Sequence, residues 1–95
     1  RHKSVGDSLQ TGLVERGWTL FAQEGHRLSQ LTSAALPGGQ PEAPVRAALL
    51  RDYAIEVGGG LGPAAGKVWR VGLMGAGATQ DSVDQLLSAV DVLLA

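Results

Sequence analysis

Glycine and proline set the frame for this chain. Its 95 residues include 14 Gly and four Pro. They gather at Gly17, at Gly25, at Pro37-Gly38-Gly39 with Pro41, from Gly58 to Gly66, and at Gly72, Gly75 and Gly77. Glycine opens left-handed and tight-turn backbone, and proline withholds an N–H, so such clusters end regular elements. No segment between the breaks approaches the roughly 20 apolar residues that cross a bilayer. A chain of this length supports about one layer of helices on one sheet.

Periodicity within each segment gives its type. Val5, Leu9 and Leu13 recur at helical spacing from about Lys3 to Arg16, with Gly12 on the same face. Gly17 is placed to end that helix in a left-handed turn. Trp18 to Ala22 and Gln30 to Leu36 read as two strands of a hairpin with a loose loop around Gly25. A second helix is expected from Glu42 to Tyr53, with Pro44 in its first turn and Val45, Ala48, Leu49 and Tyr53 on one face. A short strand, Ala54 to Val57, and an apolar strand, Lys67 to Met74, flank the glycine-rich loop Gly58 to Gly66. Thr79 is the expected N-cap of a last helix, with Asp81 favourably near its N-terminus. Its apolar stripe is Val83, Leu86, Leu87, Val90, Leu93 and Leu94, and Asp84, Gln85, Ser88 and Asp91 lie opposite. The order α-β-β-α-β-β-α predicts an α+β two-layer sandwich, a small mixed or antiparallel sheet with helices on one face.

Composition removes several classes of function. Eight basic and nine acidic residues are spread along the chain for a net charge of −1, and only two Trp, one Tyr and one Phe are present. There is no basic stripe to follow a phosphate backbone, which argues against nucleic-acid binding. Without cysteine there is no disulfide scaffold, thiolate metal site or cysteine nucleophile. His2 and His26 have no metal-ligand spacing. No signal peptide or membrane segment is read, and the expected location is the cytoplasm.

Two glycine patterns invite a phosphate-binding reading, and both fall short. Gly60, Gly62 and Ala65 fit G-x-G-x-x-A, but that fingerprint requires a helix next, and here Pro63 and an apolar strand follow. Gly66-Lys67 is like the end of a phosphate loop, yet Leu61 replaces its first glycine and Val68 its Ser or Thr. Gly72, Gly75 and Gly77 read as a turn needing unusual backbone angles, since Gln80 stands where a further glycine would be. His26 and Arg27 fall in the hairpin loop, and Glu56 reads as a solvated or paired carboxylate.

Arg70 is more informative. In VWRVGLM, alternation puts Trp69, Val71 and Leu73 on the helix-facing side and Arg70 on the other, between Val68 and Gly72. A guanidinium in mid-strand must meet an anion or reach water, and its planar fork suits a carboxylate. A structural ion pair or a snorkelling edge arginine explains the residue equally simply, and on these residues alone is preferred.

The run LLRDYAIEVGGGLGPAAGKVWRVGLMG, Leu49 to Gly75, resembles the class V aminotransferases, in particular the alanine–glyoxylate and serine–pyruvate branch. The resemblance rests on Leu49, Leu50 and Tyr53, on Ile55-Glu56, on the Gly58 to Pro63 loop, and on Gly66 to Gly75; GHRLSQLTSAALP upstream agrees with it. It implies that residues 1–95 are the C-terminal small domain of a transaminase that uses pyridoxal phosphate (fold type I), with the large cofactor-binding domain absent. By the matching motif, Arg70 binds the α-carboxylate of the amino-acid substrate, which overrides the preference just given. The Schiff-base lysine belongs to the large domain; Lys3 and Lys67 do not match it, so no catalytic or cofactor-binding residue is assigned here. The implied parent is a cytoplasmic homodimer moving an amino group from alanine or serine to glyoxylate or pyruvate, and the segment alone is expected to be inactive. A non-catalytic binding or oligomerisation domain that kept the fold is the alternative.

Overall fold

The computed structural model describes residues 2–21, 31–60, 66–72 and 79–95. Helix α1 spans His2–Glu15. Val5, Leu9 and Leu13 form its buried stripe, and Gly12 lies so close to the last helix that a Cβ there would meet Leu87 Cδ1 at 2.5 Å. The helix stops as glycine predicts. Gly17 takes φ 88°, the Gly17 N–H donates to the Val14 carbonyl, and the Trp18 N–H donates to that of Leu13. Both Leu13 and Trp18 are buried, completing a left-handed C-terminal cap with its hydrophobic contact.

Strands β1 (Thr19–Phe21) and β2 (Leu31–Ala35) form the expected antiparallel pair, with Leu20 opposite Ala34. Residues 22–30, including His26 and Arg27, lie outside the described residues. A single 3-10 turn at Pro37–Gly39 leads to helix α2, Glu42–Tyr53. Strands β3 (Gly58–Gly59) and β4 (Val68–Gly72) complete a sheet ordered β1-β2-β4-β3, with every neighbouring pair antiparallel. Helix α3 runs Gln80–Leu93. Its Thr79 cap is as expected: Thr79 Oγ1 accepts from the Ser82 N–H at 3.1 Å.

The two layers share one core. Cross-strand partners lie on the same face, so Leu20, Ala34, Trp69 and Gly59 form one row across the sheet. That row faces the helices, where Trp69 and Val71 pack with Leu9, Leu13, Val83 and Val90. The Trp18 and Trp69 rings meet at 5.2 Å, tilted by 54°. Among the described residues, no helix is long and apolar enough to cross a membrane.

Two local expectations need correction. Ala54 to Val57 is not a strand. Ala54 is a left-handed cap on α2, φ 57°, and pairing with β4 begins at Gly58. Glycine is a poor strand former, but a close approach on both faces of the sheet selects it here. Tyr53, expected on the buried face of α2, is 40% exposed. Leu49 is the buried residue of that helix beside Glu42, and Tyr53, in its last turn, is left beside Ile55, Ala89 and Val92 in a shallow groove against α3. Leu73, Met74, Gly75 and Gly77 lie outside the described residues.

Candidate functional site

The face of the sheet away from the helices carries Arg70. Its cross-strand neighbours are Ser33 on β2 and Gly58 on β3, and Phe21 on β1 ends the same row. Directly opposed side chains in such a row are about 5 Å apart. Ser33 and Arg70 are half-buried, while Phe21 is 51% exposed at the sheet edge. Ser33 was not singled out from the sequence. The register between β2 and β4 puts Ser33 directly across from Arg70 on the same face, and no spacing within either strand reveals that register.

Among the described residues, one hydrogen bond holds the guanidinium. Arg70 Nε donates to the Gly59 carbonyl at 2.8 Å, and no carboxylate among the described residues forms an ion pair with Arg70. The internal acidic partner that would make Arg70 purely structural is therefore not found among them. With Nε engaged, the Nη1–Nη2 end of the fork is the edge able to take an anion end-on. Gly58 makes room for it: a Cβ there would lie 3.3 Å from Nη2 and 3.7 Å from Cζ.

The opposite face of the same two-residue strand meets α2. Glu42 is buried and accepts from Arg46 Nε at 2.7 Å and Nη2 at 3.2 Å. Those hydrogen bonds are the main cause that raises the Arg46 guanidinium above its ordinary pKa, with burial acting the other way. A Cβ on Gly59 would lie 3.3 Å from Arg46 Nη2 and 3.4 Å from Glu42 Oε2. The Trp69 indole donates to the Glu42 carbonyl at 3.4 Å.

The other sequence candidates do not join this site. After Gly60 the Gly62 and Ala65 positions lie outside the described residues, and the chain re-emerges at Gly66 (φ 82°) into strand β4, not a helix. The dinucleotide and phosphate-loop patterns thus lack the helix N-terminus they require. Glu56 is exposed. No group of three or more His, Asp or Glu among the described residues is placed to hold a metal ion. Pyridoxal phosphate, which the resemblance implies, needs an amine for its aldehyde and donors for its phosphate. Lys67 is exposed at the turn before β4, and the described residues do not make a holder for that group.

No family model matches the chain. Individual proteins do. An alanine–glyoxylate aminotransferase of Drosophila melanogaster is 37% identical over 92 residues, covering 96% of this chain and 23% of its own length. An (S)-ureidoglycine–glyoxylate transaminase of Bacillus subtilis is 32% identical, covering 99% and 23%. The crystal structure of an alanine–glyoxylate aminotransferase from Nostoc sp. superposes with a TM-score of 0.90 at 42% identity, covering 99% of this chain and 25% of that one. The chain thus spans about a quarter of the length of the relatives it matches. With the α+β fold and the sequence in agreement over nearly the whole chain, it belongs with the class V aminotransferases, as a segment of about a quarter of their length.

Proposed function

We propose that the chain is the C-terminal small domain, residues 1–95, of a pyridoxal-phosphate-dependent aminotransferase, and that it supplies the grip on the substrate carboxylate. The parent enzyme moves an amino group from alanine or serine to glyoxylate or pyruvate. Its cofactor and Schiff-base lysine are carried by a large domain outside this chain, and it works as a cytoplasmic homodimer. The segment alone is inactive.

The observation that carries this reading is Arg70, half-buried in mid-strand with its Nε tied to a backbone carbonyl and no ion-pair partner among the described residues. A cation so placed is oriented before any ligand arrives, so little side-chain freedom is lost on binding. Its Nη edge takes both carboxylate oxygens of an amino acid, and Gly58 opposite leaves space for them. One fixed end of a small substrate restricts its rotation and brings Cα–H and the amino group to a defined place. Such a charge-assisted contact contributes about 1.5–3 kcal/mol. The relatives' names include glyoxylate as one substrate, and both amino acids and oxo acids of this class carry the carboxylate Arg70 suits.

The test is made in the full-length enzyme carrying this segment. Arg70→Ala should raise the KM for the amino acid roughly 10- to 150-fold, the equivalent of that contact energy, and keep the cofactor absorbance. Arg70→Lys keeps the charge without the fork and should recover only part of the affinity. Unchanged saturation in both variants would remove Arg70 from the substrate site.

A further inference from the structure

We infer that Glu42 and Arg46 are positioning residues for Arg70: their ion pair braces the back of β3, the strand whose carbonyl orients the guanidinium. The inference rests on the carboxylate-binding reading of Arg70 and extends it to two residues on the opposite side of the sheet.

The starting point is a weakness in β3. It has two residues, Gly58 and Gly59, followed by Gly60, whose N–H donates to the Val68 carbonyl. Glycine peptides have the widest conformational choice and no side chain to pin them. Yet the Gly59 carbonyl must point in one direction to accept from Arg70 Nε at 2.8 Å. Pairing with β4 fixes one edge of the strand, and among the described residues no strand pairs with its other edge. What restrains the strand from the helix side is the Glu42–Arg46 pair, whose Nη2 and Oε2 stand 3.3 and 3.4 Å from where a Gly59 Cβ would be, closer than most side-chain contacts.

The pair is unusual for its kind. Arg51 and Asp52 are bridged at the surface, but the Glu42 side chain is 4% exposed while that of Arg46 is 38% exposed. Burying a carboxylate at a helix start, where it would be equally favoured in solvent, costs desolvation that only a specific contact offsets. The Arg46 fork supplies it with two hydrogen bonds. Trp69 closes the circuit. It lies opposite Gly59 in the sheet, adjoins Arg70 in sequence, and its indole N–H donates to the Glu42 carbonyl. The first turn of α2 is thereby tied to both strands that place Arg70.

A brace of this kind acts on the carboxylate end of the substrate alone, which separates it from a general structural role. In the full-length holoenzyme, Glu42→Gln keeps the shape and removes the charge. It should raise the KM for alanine roughly three- to tenfold with kcat and cofactor absorbance unchanged. The affinity for ethylamine, an amine without a carboxylate, should not move. Arg46→Lys should fall between Glu42→Gln and the parent, because the charge stays and the fork is lost. In an Arg70→Ala background, Glu42→Gln should add nothing, since the group it positions is gone. An unchanged KM in Glu42→Gln, an equal loss for ethylamine, or an additive loss in the double variant overturns the inference. If Arg70→Ala raises KM and Glu42→Gln does not, the brace alone falls. If Arg70→Ala leaves KM untouched, the carboxylate reading falls and the brace with it. Should Glu42→Gln not fold, Arg46→Lys is judged by the same three criteria.

Discussion

At the scale of single residues, two helix ends solve the same problem with different chemistry. Gly17 and Ala54 both take left-handed backbone, φ 88° and φ 57°, after α1 and α2. An L side chain pays about 1–2 kcal/mol there, while glycine pays nothing. Gly17→Ala should therefore destabilise the chain by about 1 kcal/mol, the strain partly offset by a less flexible unfolded chain. The contact of the new Cβ with Pro37 at 3.3 Å adds to the loss. Ala54→Gly should go the other way, a gain of roughly 0.5 kcal/mol, because the strain relieved slightly exceeds the freedom given to the unfolded state. Opposite shifts of the thermal midpoint are the expected result; a fall in both would mean that Ala54 holds its conformation without strain. The sequence announces the Gly17 cap because glycine follows a periodic helix. It hides the Ala54 cap, since alanine is a helix former and gives no sign of a left-handed turn.

At the scale of elements, regular packing was legible and contact-driven structure was not. The stripes Val5-Leu9-Leu13 and Val83-Leu86-Leu87-Val90 turn toward the core as their spacing requires. Thr79, read as a cap from its place before Asp81, is one by hydrogen bond. Replacing it by alanine should cost about 1 kcal/mol, and Thr79→Ser should cost a few tenths, visible as midpoint shifts of about 4–8 °C and 1–2 °C. Equal losses in the two variants would assign the effect to packing of the Thr79 methyl. Strand β3 was misplaced because its residues are glycines, which carry neither hydrophobic alternation nor β propensity. Its position follows from what lies against it, the Arg70 guanidinium on one face and the Glu42–Arg46 pair on the other. Arg70 was visible as a cation in mid-strand. Glu42 was not, since an acid in the first turn of a helix is the ordinary solvated choice, and only tertiary contact buries it.

At the scale of the whole molecule, the first and last helices hold the helical layer together by two means of very different strength. Arg16 bridges α1 to α3 through Asp91, with Nε–Oδ1 at 2.8 Å and Nη2–Oδ2 at 3.2 Å, and its Nη1 donates to the Gly12 carbonyl. The hydrogen bond to Asp91 is the main cause of the raised Arg16 pKa. The bridge is open to solvent, so salt and side-chain entropy limit it to about 0–1 kcal/mol. On the core-facing stripe of α1, Leu9 is fully buried in the apolar cluster that also holds Leu87 and Val90 of α3, and Leu9→Ala should cost about 2–5 kcal/mol in lost burial and a residual cavity. A domain of this size has roughly 5–10 kcal/mol in total, so Leu9→Ala should bring it near unfolding, whereas Asp91→Asn should lower the midpoint by a few degrees at most. The Asp91→Asn loss should also shrink as salt is raised to about 0.5 M, where the Debye length falls below 5 Å, and the Leu9→Ala loss should persist. A salt-independent Asp91→Asn effect as large as that of Leu9→Ala would show that the charged clasp, not the apolar seam beneath it, joins the two ends of the chain.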